Sequence, residues 1–79
     1  MRKEDEIKEQ LMSSNTDFRR LAREHHQSEV KLQELHKRQH MTEHDHLEEI
    51  ELKKKKLHLK DQMNSMIAKL QVELSHQPS

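Results

Sequence analysis

The chain contains no glycine, and its single proline, Pro78, stands next to the C-terminal residue. Tight turns between strands call for residues that tolerate positive φ or fix a bend, above all Gly and Pro, so a sheet would lack its connections. The sequence is instead rich in Leu, Lys, Glu, Gln, Arg and Met, which lose little side-chain freedom on entering a helix. Helix is the only regular structure favoured, and the expected fold class is all-α.

Apolar spacing divides the chain into helices. Residues 3–12 read as a short helix carrying Ile7 and Leu11. The polar cluster Ser13, Ser14, Asn15, Thr16 and Asp17 competes with the helix for backbone hydrogen bonds and supplies N-caps, which places a break there. From Phe18, positions 18, 21, 25, 28, 32, 35 and 39 step alternately by three and four residues and hold Phe, Leu, His, Ser, Leu, Leu and Gln. That is a heptad seam with polar interruptions, on a helix expected over 17–39. Asp17 with Arg20, Arg20 with Glu24, and Glu34 with Lys37 and Arg38 have spacings that place opposite charges side by side on that helix.

Apolar residues thin out between His36 and His46, where Thr42-Glu43-His44-Asp45 has the spacing of an N-terminal capping box with Asp in the Glu place. Acidic residues then crowd the first turns (Glu43, Asp45, Glu48, Glu49, Glu51), where the helix dipole favours them. A connection at 40–42, a long helix over 43–74 and a tail at 75–79 are therefore expected, in a single helical domain spanning 1–79. The rival is one uninterrupted helix through 36–46. The coincidence of caps with lost periodicity favours an antiparallel hairpin with coiled-coil-like packing.

The long helix carries two apolar stripes on nearly opposite sides. One holds Leu52, Leu59, Met63, Met66, Leu70 and Leu74; the other holds Leu47, Ile50 and Leu57. A two-helix hairpin buries only one of them, so the other is expected to meet the short first helix or a second copy of the chain. Composition points the same way. Hydrophobic residues make up 29% of 79 residues, too little for a generous self-contained core. The residues expected at helix–helix interfaces are Phe18, Leu21, His25, Leu32, Leu35, Ile50, Leu52, Leu57, Leu59, Met63, Met66 and Leu70. Docking of partners is expected to fall on Leu57, Leu59, Met63 and Met66, Met being suited to adaptable contacts.

Fifteen basic side chains balance fifteen acidic ones, so no global field draws the protein to nucleic acid or anionic lipid. Lys53, Lys54, Lys55, Lys56 and Lys60, with His58, form the strong basic cluster. Four consecutive residues point to all sides of a helix, and Phe18 is the only aromatic side chain available for base stacking. Glu49 with Lys53 and Glu51 with Lys55 also have the spacing of stabilising intrahelical pairs. A solvated, salt-bridged helix is favoured over nucleic-acid binding, which stays as an alternative. Cysteine is absent, and no long apolar run occurs, so a reducing, cytoplasmic setting and no membrane span are expected.

No catalytic constellation is present: no Cys nucleophile, no Gly-rich phosphate loop, no Ser placed with a His and an acid. A non-enzymatic protein without a cofactor is expected. Eight His residues are the unusual feature. His36, His40 and His44 recur every fourth residue with His46 close by, the residues from which a metal site or pH-responsive module would be built. Dedicated zinc sites on helices usually add a carboxylate at fixed spacing or a Cys, and the connection would split His36 and His40 from His44, so solvated polar residues are the favoured interpretation. His25 sits in the seam between Leu21 and Leu32, where one hydrogen bond, to Asp61 or Lys60 on the facing helix, would fix register. A pH-sensitive latch is the alternative.

Two stretches carry a resemblance. Phe18-x-x-Leu21-x-x-Glu24-His25 and Leu52-Lys53-Lys54-Lys55-Lys56-Leu57-His58-Leu59-Lys60-Asp61 are similar to motifs of the YdcH-like family of small bacterial proteins of unknown function. The resemblance spans about residues 7–67, implies a helical hairpin and implies no established activity. Ser28 stands where that family commonly has Leu, Glu49 where an apolar residue precedes the Lys-rich motif, and the connection lacks the family's frequent Gly. The function expected is that of a structural or interaction protein, a self-associating hairpin that docks itself or another helical protein.

Overall fold

Asn15 alone separates the first two helices. In the computed structural model, which describes residues 4–75, α1 spans Glu4–Ser14, α2 Thr16–His36 and α3 Glu43–Ser75, and no strand occurs among the described residues. Asn15 is extended, and its Oδ1 accepts from the Phe18 N–H at 2.9 Å, an N-cap that starts α2. Ser13 and Ser14 do not end α1 as expected. Their hydroxyls donate back to the Gln10 carbonyl at 2.9 and 2.6 Å, so both stay inside the helix.

The other boundaries also shift. α2 stops at His36 rather than 39, because Leu35 is its last residue with apolar surface to bury, and Arg38 is drawn across to Asp45 on α3. Gln39 is thus no seam residue, and the connection runs over 37–42. No residue in it takes a positive φ, which is how it does without glycine. Met41 packs onto the buried cluster Leu32, Leu35 and Leu52, plugging the turn end of the hairpin. α3 runs on through Ser75, the first residue assigned to the tail; residues 76–79 and residue 3 lie outside the described residues.

α2 and α3 are antiparallel, and their register can be followed residue by residue. His36 meets Glu49; seven residues back along α2, Glu29 meets Lys56, seven further along α3. Eleven more in each direction bring Phe18 to Ile67. The result is a rod 58 × 19 × 17 Å. At its far end Ile7, Leu11, Phe18 and Ile67 form a second buried cluster, with Met63, Met66, Leu70 and Leu74 packed around it. α1 therefore completes the fold by covering the C-terminal part of the stripe that α2 is too short to reach. Leu21 and Leu59, at 6% and 5% exposure, fill the seam between the clusters.

Ser28 is the polar interruption of that seam. It is 2% exposed, and its hydroxyl donates to the Glu24 carbonyl one turn back at 3.0 Å, which duplicates a group the helix already uses. Ser28→Ala should therefore raise stability by about 0.5 kcal/mol, since Ala is the better helix former and no bonding partner is orphaned. Urea denaturation followed by circular dichroism measures this; a loss of stability would mean that the hydroxyl has a partner on α3.

Candidate docking surface on the long helix

α3 presents its two stripes to different surroundings. Leu52, Leu59 and Ile67 are buried against α2 and α1, while Leu47, Ile50 and Leu57 are 58%, 50% and 61% exposed. Residues 47, 50 and 57 fall on one line of the helix, and Lys54 and Asp61 continue its three-and-four spacing. Val72, 54% exposed, lies on the same side further along. α1 packs on the opposite side and leaves this stripe open.

The expected interface residues thus divide. Phe18, Leu21, Leu32, Leu35, Leu52 and Leu59 are consumed within the hairpin, and Met63, Met66 and Leu70 are half-buried under α1. Of the four residues expected to carry docking, Leu59, Met63 and Met66 are turned inward, and Leu57 alone is free, with Ile50 and Leu47 beside it. Ile67, a core residue, was missed in the stripe, although its spacing of four from Met63 and three from Leu70 was available to find it.

Polar groups tie α3 to α2 and to the connection. The capping box forms reciprocally: the Asp45 N–H donates to Thr42 Oγ1 at 3.1 Å and the Thr42 N–H to Asp45 Oδ2 at 3.0 Å. Arg38 Nη1 donates to Asp45 Oδ1 at 2.6 Å, tying the cap to the end of α2. The Thr42 N–H above all, then the Arg38 guanidinium, hold the Asp45 carboxyl below its ordinary range against the opposing effect of burial. Glu49 bonds His36 at 2.5 Å and is held low chiefly by that hydrogen bond, with Lys53 at 3.8 Å assisting. Glu29 is held low by Lys56 at 3.2 Å.

His25 is not bonded to Asp61 or Lys60. Its Nδ1 lies 3.8 Å from Glu29 Oε1 on its own helix, and its buried Nε2 has no hydrogen-bond partner. Lys56 fixes Glu29 from across the seam, and Glu29 is thereby the nearest anion to the imidazole.

The histidines do not gather. His36 is bound to Glu49, His40 and His46 are exposed, and among the described residues only His44 has further ligand atoms at hand, those of Asp45 and Glu48, all within 4.8 Å of one another. Both Asp45 oxygens there already accept hydrogen bonds, one from a guanidinium that would repel a cation. Lys53, Lys56 and Lys60 line one groove with His36, Leu32 and Leu57, a one-sided arrangement that consecutive residues alone did not predict. Two of these lysines are already paired to Glu49 and Glu29. Glu51 and Lys55, and the intrahelical pairs expected on α2, form no ion pair among the described residues.

No described helix is long and apolar enough to cross a membrane. Comparison with curated proteins and with solved structures finds no match. A family model described as a protein of unknown function, DUF465, matches residues 18–67, which run from Phe18 to the Ile67 it packs with at the far end of the hairpin. With more than half of its length matched, the chain belongs to the DUF465 family of small bacterial helical proteins of unknown function.

Proposed function

We propose that this protein is a non-enzymatic interaction module, a helical hairpin that associates with itself and docks partner helices through the outer face of α3. The observation that carries this reading is the row Leu47, Ile50 and Leu57, each at least half exposed on a side of α3 that neither other helix covers, with Leu57 at the rim of the groove beside α2. Single exposed apolar residues are ordinary, but three in register on one helix form a seam, the kind of face a second helix covers. The titratable groups support a non-catalytic role. The carboxylates whose ionisation is shifted are all pushed down by neighbouring donors and cations, which suits structural ion pairs rather than a general acid or base poised near neutrality.

Sedimentation equilibrium over a dilution series tests the reading. The native chain is expected to gain mass with concentration, while Ile50→Glu/Leu57→Glu stays monomeric with the same helical circular dichroism, since neither side chain supports the fold. A native chain that remains a fully folded monomer at every concentration overturns it.

A further inference from the structure

The segment of α3 bearing the exposed stripe reads Leu47-Glu-Glu-Ile-Glu-Leu52-Lys-Lys-Lys-Lys-Leu57. Counted outward from Leu52, Glu51 is matched by Lys53, Glu49 by Lys55, Glu48 by Lys56 and Leu47 by Leu57. Reversing the direction of this segment therefore exchanges acid for base while keeping its leucines in place. Between 43 and 51 there are five carboxylates and no Lys or Arg; between 53 and 60 there are five lysines and no carboxylate.

We propose that the occupant of the exposed stripe is a second copy of the same stripe, running antiparallel, with the two-fold axis passing level with Leu52. The proposal rests on the self-association argued above and fixes its direction and register. A two-fold interface is self-complementary, each residue meeting its counterpart on the other side of the axis. Here that sets Leu47 of each copy on Leu57 of the other, and lays the aliphatic stem of each Lys54 over Ile50. The acidic stretch 43–51 of each α3 then lies along the basic stretch 53–60 of its mate.

The groups needed for this are unspent. Glu43, Glu51, Lys54 and Lys60 make no ion pair among the described residues. Glu51, at the edge of the stripe, meets Lys54 of the other copy beside the axis, while Glu43 falls level with Asp61 and next to Lys60 of the other copy. A parallel pair would instead stack acid on acid and set Lys54 against Lys54 in the seam. Exposed ion pairs add little affinity, but they discriminate strongly between orientations.

The absence of native cysteine makes the test direct. In the antiparallel register each residue 47 lies about 15 Å along the axis from its own copy, too far for a disulfide, and beside residue 57 of the other chain. Leu47→Cys alone and Leu57→Cys alone should remain uncrosslinked on oxidation, and their mixture should give a covalent dimer. As a second measurement, Glu51→Lys should raise the dimer dissociation constant about tenfold, and adding Lys54→Glu should restore it.

Self-crosslinking of either single variant overturns the antiparallel assignment and leaves self-association standing. So does association, seen by sedimentation, with no covalent product in the mixture. A native chain that stays monomeric removes this proposal together with the reading it rests on.

Discussion

Phe18→Ala is expected to leave most of the chain unfolded at room temperature. Phe18 is the only Phe, Tyr or Trp, is 1% exposed, and joins all three helices: it lies in the first turn of α2, packs on Ile67 of α3, and supports Ile7 and Leu11 of α1. Truncating a buried Phe costs about 3–5 kcal/mol. A core in a domain of this size supplies no more than roughly the same amount. The loss is thus comparable with the whole margin, and the other buried cluster, Leu32, Leu35 and Leu52 with Met41, is too small to hold the hairpin alone. Thermal unfolding by circular dichroism at fixed concentration gives the answer, because a self-associating chain has a concentration-dependent midpoint. Phe18→Leu, which keeps most of the volume, should fold with a lowered midpoint, and Val72→Ala, on the exposed side, should change stability by less than about 0.5 kcal/mol. A Phe18→Ala variant melting within a few degrees of the native chain would show that α1 and the far end of the hairpin contribute little.

Much of this architecture was legible because it depends on local spacing. Thr42 and Asp45 announce a capping box by their separation alone, and both of its hydrogen bonds form. The two stripes of α3 follow from helical periodicity, since a side chain's direction is set by its sequence position. Which stripe faces inward is not local. It depends on α2 having its apolar residues at Leu32 and Leu35, and on α1 folding back over Met63 to Leu74.

The ion pairs show the limit most clearly. Intrahelical spacing suggested Glu34 with Arg38 and Glu51 with Lys55, yet Arg38 reaches Asp45, Lys56 reaches Glu29 and His36 reaches Glu49. These cross-helix pairs require the hairpin register, and a long flexible side chain on a polar surface has several neighbours to choose from. The end of α2 was misplaced for the same reason, since the heptad spacing continues to Gln39 while the chain turns where burial stops.

Acidification should unlock the hairpin, because the same three carboxylates, Glu29, Asp45 and Glu49, join the α2 side of the molecule to α3. Each titrates below its ordinary value in the folded chain, where the ordinary values are 4.5 for Glu and 3.8 for Asp. In the unfolded chain they take up protons first, so between the unfolded and folded values the unfolded state binds more protons and stability rises with pH. Their contribution is therefore complete above the unfolded range and is lost as pH falls through the folded values. Asp45, with 8% of its side chain exposed, should weigh most, and Glu29, at 39%, least, because solvent screens the exposed pair. The melting midpoint should be flat from neutral pH down to about 5 as far as these groups are concerned, then fall steeply below about 4.5. Asp45→Asn/Glu49→Gln should melt lower at neutral pH and show a much shallower decline on acidification, the native and variant curves converging at the acid end. Two curves that stay parallel through that range would mean that the cross-helix pairs do not hold the hairpin, and that its seam is apolar contact alone.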